Sequence, residues 1–531
     1  MNLLSCLLRG KNPFQSRLPI PMRRRLFSIP RNEEPAASHT DRPAEQRDAA
    51  PEPTSALSRP RGLHGRSSRR CWRWASLLYV GGLLECSAAP VAGVDPATPP
   101  GAEAAAFLSS LGVNSAVSRR GERLDRTAEA VRFLGIRWIR SGYESDVPLE
   151  DLLELHRRTG VKFSYGLLSG GTDLERLLRG ARRLAAAGAL LAIEGNNEPN
   201  NWPITYRGQT GGGTNSWLPV AWLQRDLFQA VKADPVLRAY PVWTVSEPGA
   251  QTDNAGLQFL TIPPGAGTLM PPGTRYADCA NVHNYIYHPA APRLEDNKTW
   301  NAADPTSACK VDGLYKNFGR TWRKGFAGYP EAELQTLPRV TTETGVAVSG
   351  EVSEEIHGWH LLTMYLAQFK RGWTHTAVYL LRDRTDEAGN QQFGFYRPDH
   401  RPRPAAVYLH RLTRLLADKP GAPIRGHVAP LAYVLEPQPD TLHDLLLRRR
   451  DGTWILILWN ERVHGSDEIQ VRFGRAWPGV TVYDPMRSDL PAARYRNVQR
   501  LGLELDRHVR VLCIGPGPVE STNGGGNTPS S

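Results

Sequence analysis

Between residues 105 and 418 the sequence repeats one pattern, and that pattern limits the fold more than any other feature of the chain. A short apolar run is followed by a longer stretch with helical spacing, then by the next run. The runs are LGVNSAV (111–117), IRWIRSG (136–142), VKFSYGLL (161–168), LLAIEG (190–195), YPVWTVSE (240–247), ADCANVHNY (277–285), RVTTETG (339–345) and THTAVYLL (374–381). Between them lie segments such as LDRTAEAVRFLG, LERLLRGARRLAAAG, WLPVAWLQRDLFQAVKAD and IHGWHLLTMYLAQFKRG, with 3.6-type periodicity. Strand alternating with helix argues for βαβ units and a parallel sheet. Eight runs predict a (β/α)8 TIM barrel over 105–418, closed by the helix around AAVYLHRLTRLLA. An open doubly wound sheet is the alternative arrangement of the same units.

Pro420 and Gly421 then mark a boundary, and the pattern changes. HDLLLRRR, TWILILWN, EIQVRF, VTVYDP and HVRVLCIG read as strands, with Asp451-Gly452 as a hairpin turn between the first two. Residues 424–516 are expected to form a small antiparallel β-sandwich, and 517–531 a disordered tail. At the other end, residues 1–68 are rich in Pro, Arg, Ser and Ala without periodicity and read as a disordered arm. Residues 69–94 look like a secretory signal: Arg69, Arg70 and Arg73 flank the apolar run Trp74 to Leu84, and Ser87-Ala88-Ala89 offers small residues for cleavage. The run is too short for a membrane span. Export to the periplasm or the outside of a bacterial cell is the expectation.

Charge excludes one class of partner. The formal net charge is +12, but residues 1–94 carry 15 Lys+Arg against 7 Asp+Glu, and the other 437 residues carry 50 against 46. The body is close to neutral and has no basic stripe to follow a phosphate backbone, so nucleic acid is not an expected partner. Cys279 and Cys309 flank a long insertion and, in an oxidising compartment, either staple it or remain two thiols. No CxxC, HExxH, GxSxG or phosphate-cradling glycine loop occurs.

The chemistry sits at the ends of the runs. LAIEGNNEPNNW ends an apolar strand on Glu198, between Asn197 and Pro199. A carboxylate there is costly to place unless it is used or well bonded. Glu343 ends the seventh run. The carboxyl ends of barrel strands form the active face, where strands four and seven stand opposite each other. Two carboxylates converging across a cleft are the equipment of glycoside hydrolysis, one protonated and one ionised. Asn197 offers an amide to a sugar hydroxyl. Glu194 lies within the strand run and is expected to pair with an arginine instead; Glu247, at the end of the fifth run, either lines the cleft or stands apart from it. Trp202, Trp217 and Trp300 are either sugar platforms or packing residues.

These residues together resemble the retaining glycosidases of glycoside hydrolase clan A, over roughly 105–418 plus a C-terminal β domain. Asn197-Glu198-Pro199 is similar to the clan's strand-four motif, whose Glu is the general acid/base. Glu343 in Thr342-Glu343-Thr344-Gly345 is similar to its strand-seven nucleophile. Arg140 matches an arginine that supports the nucleophile, and His283 and Tyr285 match positions that face the substrate and the nucleophile. FGFYRPDHRPRPAAVYLHRL resembles the signature after strand eight. One departure is clear: many members end strand eight on a Trp that stacks on the sugar, and here the chain reads Tyr379-Leu380-Leu381-Arg382-Asp383.

The resemblance implies an oligo- or polysaccharide substrate and two-step double displacement. No cofactor or metal is expected, since two carboxylates suffice. A transglycosylase would share every residue named. A carbohydrate-binding relative that has lost its chemistry, and a partner-binding surface protein, are the alternatives; the presence of both Glu198 and Glu343 argues against the first.

Overall fold

The computed structural model describes residues 101–246, 260–287, 293–306, 308–309, 328–425 and 428–515. The N-terminal arm, the signal-like segment, Glu247 and the C-terminal tail lie outside these residues.

Eight strands form a parallel ring: β1 (Leu111–Asn114), β2 (Trp138–Ser141), β3 (Lys162–Leu167), β4 (Leu190–Asn196), β5 (Val242–Trp243), β6 (Ala280–Asn281), β7 (Arg339–Thr344) and β8 (Trp373–Val378). Each falls on one of the eight apolar runs. Pairing runs from β5 through β4, β3, β2 and β1 to β8, β7 and β6. A backbone bridge between Trp243 and Cys279 joins β5 to β6, which an open doubly wound sheet would leave apart. The expected TIM barrel is formed.

The helices on its outside follow their apolar spacing. In α1 (Leu124–Leu134), Thr127, Ala128, Val131 and Leu134 are buried, one stripe along one face. It ends at Gly135, whose φ of 75° closes the last turn. The others are α2 (Leu149–Thr159), α3 (Leu174–Ala186), α4 (Leu218–Ala233), α5 (Glu354–Lys370) and α6 (Pro404–Leu416). Asp173 caps α3 by accepting from the Arg176 N–H at 2.9 Å. No helix among the described residues is long and apolar enough to cross a membrane.

The ring interior is filled in layers. At the floor, Trp138, Ala192, Trp243, Cys279, Val340 and Ala377 pack together. Trp138 and Trp243 meet edge to face at 5.4 Å. Gly112 makes this possible, because a Cβ there would lie 2.1 Å from the Trp138 ring. Cys279 carries a free thiol in this floor, so of the two alternatives the staple to Cys309 is not the one formed. Above the floor the layer turns polar: Arg140, Glu194, Thr244, Asn281 and Thr342 are all at most 1% exposed.

After α6 come β9 (Tyr433–Glu436), β10 (Leu442–Arg448), β11 (Trp454–Asn460), β12 (Asp467–Tyr483), β13 (Pro491–Leu505) and β14 (Arg510–Ile514). They pair antiparallel into the expected β-sandwich, around a core that includes Trp454, Leu456, Val471, Phe473 and Trp477. β12 pairs with β9 through Gln470–Phe473 and with β14 through Val480–Tyr483, so one long strand serves both halves. Strand Ala102–Glu103, ahead of the barrel, adds to β10 in parallel. Glu461 ties the two parts together: it accepts from the Thr299 and Trp300 N–H groups at 2.9 and 3.0 Å and from Trp459 Nε1 at 3.1 Å.

Candidate active site

At the carboxyl ends of the strands the polar layer opens into a cavity of about 690 Å3. Glu198, Glu343, Asn197, Tyr285, Trp202 and Tyr379 are among its lining residues. This is an ordinary volume for a small-molecule site.

The turn carrying Glu198 is built by backbone bonds. Asn197 bridges to Ser246 beside β5, and the Glu198 N–H donates to the Ser246 carbonyl at 2.9 Å. The Glu198 carbonyl accepts from the N–H groups of Asn201 and Trp202 at 2.8 and 2.9 Å. Glu198 itself has a φ of 41°, a left-handed conformation that non-glycine residues rarely adopt. Such conformations cluster at functional sites. Gly195 permits the chain to pass under α4: a Cβ there would lie 2.0 Å from Gln224 Oε1, which accepts from the Val245 N–H.

Glu343 enters the cavity by a different device. In a regular strand Thr342 and Glu343 would face opposite sides of the sheet. The β7–β8 register slips between Thr341 and Thr344, and both side chains reach the interior. His283 and Tyr285 follow the two-residue strand β6.

The six residues singled out from the sequence meet here. Arg140, fully buried on β2, donates to Glu343 Oε1, to Glu194 at 2.7 Å and to Asn197 Oδ1 at 2.8 Å. It also lies over the Tyr143 ring at 4.3 Å. The Tyr285 hydroxyl donates to Glu343 Oε2 at 2.8 Å. His283 Nδ1 is 2.6 Å from Glu198 Oε1 and 3.6 Å from Glu343 Oε2. Asn201 donates to Glu198 Oε2 at 2.8 Å.

The two carboxyl groups are therefore held differently. Burial pushes Glu198 up to about 7, against the Asn201 amide and the charge of Arg140. Burial also raises Glu343, but Arg140 and Tyr285 bond directly to its charged form and hold it back. Of the pair, Glu343 is the one bonded by the guanidinium, and Glu198 is the one set against the neutral imidazole. His283 is driven down to about 4, by burial first and by Arg140 against the pull of Glu343, so it is neutral near pH 7.

An oxygen of Glu198, a nitrogen of His283 and an oxygen of Glu343 lie within 4.8 Å of one another, close enough to ligate a cation. The Arg140 guanidinium on Glu343 already supplies the positive charge that two carboxyl groups call for. A metal ion would face that guanidinium, so the donor set fits an acid–base pair better than a metal centre.

The raised Glu198 has a consequence for stability. Below about pH 4.5 the folded and unfolded chains both hold its proton. Between about 4.5 and 7 only the folded chain does, so stability falls as pH rises, and the loss is complete above about 7. Glu198→Gln removes this penalty, since an amide can donate to His283 and accept from Asn201. The variant is expected to be more stable than wild type at pH 8 by on the order of 2–3 kcal/mol, with the gain vanishing near pH 4. Urea unfolding at the two pH values checks this; a difference that does not change with pH would refute the assignment.

Other residues surround these six. Glu194 pairs with Arg140, as its place in the strand suggested, and so braces the site. Tyr379 lines the cavity from the end of β8, where a Trp was the resemblance's expectation. Arg384 bonds Glu144 and Glu387 at 2.6 Å each and, with Arg120, makes a charged wall. Of the tryptophans, Trp202 is 46% exposed and lines the cavity. Trp217 is fully buried, and Trp300 stacks on His443 of the β-sandwich at 4.1 Å, so both are packing residues.

Neither a protein-family model nor a curated protein matches the chain. Solved structures do. A family 39 glycoside hydrolase from the gut symbiont Bacteroides cellulosilyticus WH2 is 15% identical, with a TM-score of 0.48 over 77% of this chain and 82% of that one. A GH51 arabinofuranosidase from Xanthomonas axonopodis pv. citri is 12% identical, with a TM-score of 0.47 over 78% and 98%. A bifunctional glucanase-xylanase from a metagenome library is 12% identical, with a TM-score of 0.46 over 79% and 97%. The chain is similar in structure to glycoside hydrolases built on a TIM barrel.

Proposed function

We propose that the protein is a retaining glycosidase that cleaves an oligo- or polysaccharide by double displacement. The observation that carries this is the unequal pair at the mouth of the barrel: Glu198 against His283 and Asn201, Glu343 on the Arg140 guanidinium and the Tyr285 hydroxyl, with oxygens within 4.8 Å of each other. A retaining pair stands about 5–5.5 Å apart and an inverting pair about 6.5–9.5 Å, because the second must admit a water.

In the first step Glu343 attacks the anomeric carbon while Glu198 protonates the leaving oxygen. The glycosyl–Glu343 ester forms and the aglycone departs as an alcohol. In the second step Glu198, now a carboxylate, takes a proton from water, which displaces the sugar and restores both groups. Arg140 and Tyr285 hold the nucleophile in one orientation and stabilise its charge when it leaves the sugar. Trp202, four residues beyond the acid and exposed at the cavity, offers an aromatic face to a sugar ring. A transglycosylase would run the same first step and transfer to a sugar alcohol. Export, proposed from residues 69–94, would bring the enzyme to polysaccharide outside the cell.

The test is the configuration of the first-formed product, followed by NMR on an activated aryl glycoside. Retention is expected. Inversion would assign Glu343 the role of a base and end the double-displacement proposal.

A further inference from the structure

Behind the catalytic pair lies a chain of hydrogen bonds that settles which nitrogen of His283 carries its proton. Neutral imidazole has one N–H, and the partner of the other nitrogen decides which. His283 Nε2 faces Thr342 Oγ at 3.1 Å, and His283 Nδ1 faces Glu198. The Thr342 hydroxyl has one proton and three neighbours that could take it: His283 Nε2, Asn281 Oδ1 at 3.2 Å and Glu194 Oε1 at 2.9 Å. Asn281 Oδ1 already accepts the Thr342 backbone N–H, and its amide nitrogen donates to Thr342 Oγ at 3.0 Å. Glu194 is the closest acceptor and the only anionic one, with Arg140 on its far side. The hydroxyl proton therefore goes to Glu194, and the lone pairs of Thr342 Oγ are left for Asn281 and for an Nε2–H of His283.

We propose that Thr342 is a positioning residue that fixes His283 as its Nε2–H tautomer, so that Nδ1 is an acceptor and Glu198 must supply the proton between them. Glu198 thus waits with its proton on the hydrogen bond to Nδ1, ready to give it to a leaving group. The low proton affinity of the buried imidazole keeps that proton on the carboxyl. The charged and titratable groups around the pair are Arg140 from β2, Glu194 from β4, Tyr285 after β6 and Glu343 from β7. Of these, Glu343 comes nearest the ring, with Oε2 3.6 Å from Nδ1 and beyond hydrogen-bond reach; the groups within reach of the two nitrogens are Glu198 and Thr342.

This goes beyond the glycosidase proposal but rests on it for the role of Glu198, and the test separates the two. Without the hydroxyl, His283 is free to turn its N–H to Nδ1 and donate to the Glu198 carboxylate, which favours the charged form. In Thr342→Val the alkaline limb of the kcat/KM profile is expected to move down by about one pH unit. Thr342→Ser keeps the hydroxyl and is expected to leave the limb where wild type has it. The same shift is expected without turnover, in the pH midpoint at which Glu198→Gln begins to gain stability over its parent, measured with and without Thr342→Val. If Thr342→Val does not fold, Thr342→Ala removes the same hydroxyl without adding bulk. A midpoint that stays in place when the hydroxyl is lost overturns the tautomer lock. A midpoint that moves in a protein with no glycosidase activity keeps the lock and overturns the glycosidase proposal.

Discussion

Glu343→Gln is expected to fold as wild type does and to lose activity by about 10⁴-fold or more, the scale on which removing a covalent nucleophile acts. The amide is isosteric and can still accept from Tyr285, but it cannot form the ester. The loss should be accompanied by loss of covalent capture. Wild type incubated with an activated 2-fluoro glycoside should gain the mass of one sugar on the peptide holding Glu343, and the variant should not. A second variant sharpens the assignment: Glu343→Ala leaves space for azide, which should restore turnover of an activated substrate and give a glycosyl azide of inverted configuration. Capture on another residue, or undiminished turnover by Glu343→Gln, would remove Glu343 as nucleophile. Arg140 and the β7 register slip would then need another purpose.

That slip shows where sequence patterning stops being informative. The eight apolar runs found the eight barrel strands because each strand is buried on both faces, and continuous burial leaves a continuous apolar signature. The six site residues were legible for a related reason: they stand at or just past the ends of four of the runs, where the barrel places its active face. Alternation could not show that Thr342 and Glu343 both turn inward, since a one-residue irregularity in β7 depends on pairing with β8. Thr342 therefore read as an ordinary strand residue. Tyr379, Glu144 and Arg384 were missed because they meet from loops after β2 and β8, far apart in the chain. The tautomer of His283 depends on Glu194, Asn281 and Thr342, from three different strands, and no spacing in the sequence connects them. Cys279 looked available for a bridge because it flanks an insertion, but its position in the barrel floor beside Trp243 follows from ring closure. Strand Ala102–Glu103 was invisible because two residues carry no period, and its partner, β10, lies more than three hundred residues on.

Arg140 joins stability to chemistry, and its removal carries the second large effect. It shares one positive charge between two buried carboxyl groups, Glu194 and Glu343, and bonds Asn197 as well. Arg140→Met fills much of the same volume but leaves both carboxyl groups without their cation. Breaking a buried pair in this way costs about 3–5 kcal/mol, because the charge left behind has lost its compensation. The cost should depend on pH, and its sign follows from linkage. With the guanidinium gone, the folded-state affinity of Glu343 for a proton rises further, so the folded chain takes up a proton that the unfolded chain binds only at lower pH. The stability lost at pH 7 to 8 should therefore shrink as pH falls toward about 4.5, where Glu343 can be neutral. Urea unfolding of wild type and variant across that range measures it. Arg140→Lys should fall between them, since one ammonium cannot bridge two carboxylates and an amide in the geometry of a guanidinium fork. Glu194→Gln combined with Arg140→Met should recover part of the loss, with a coupling of roughly 1–3 kcal/mol expected of residues in one network. A loss for Arg140→Met that is the same at every pH would mean that Arg140 serves only to fill space. Glu343 would then lack the charge that favours its anion, and the proposed division of labour between the two carboxyl groups would fail with it.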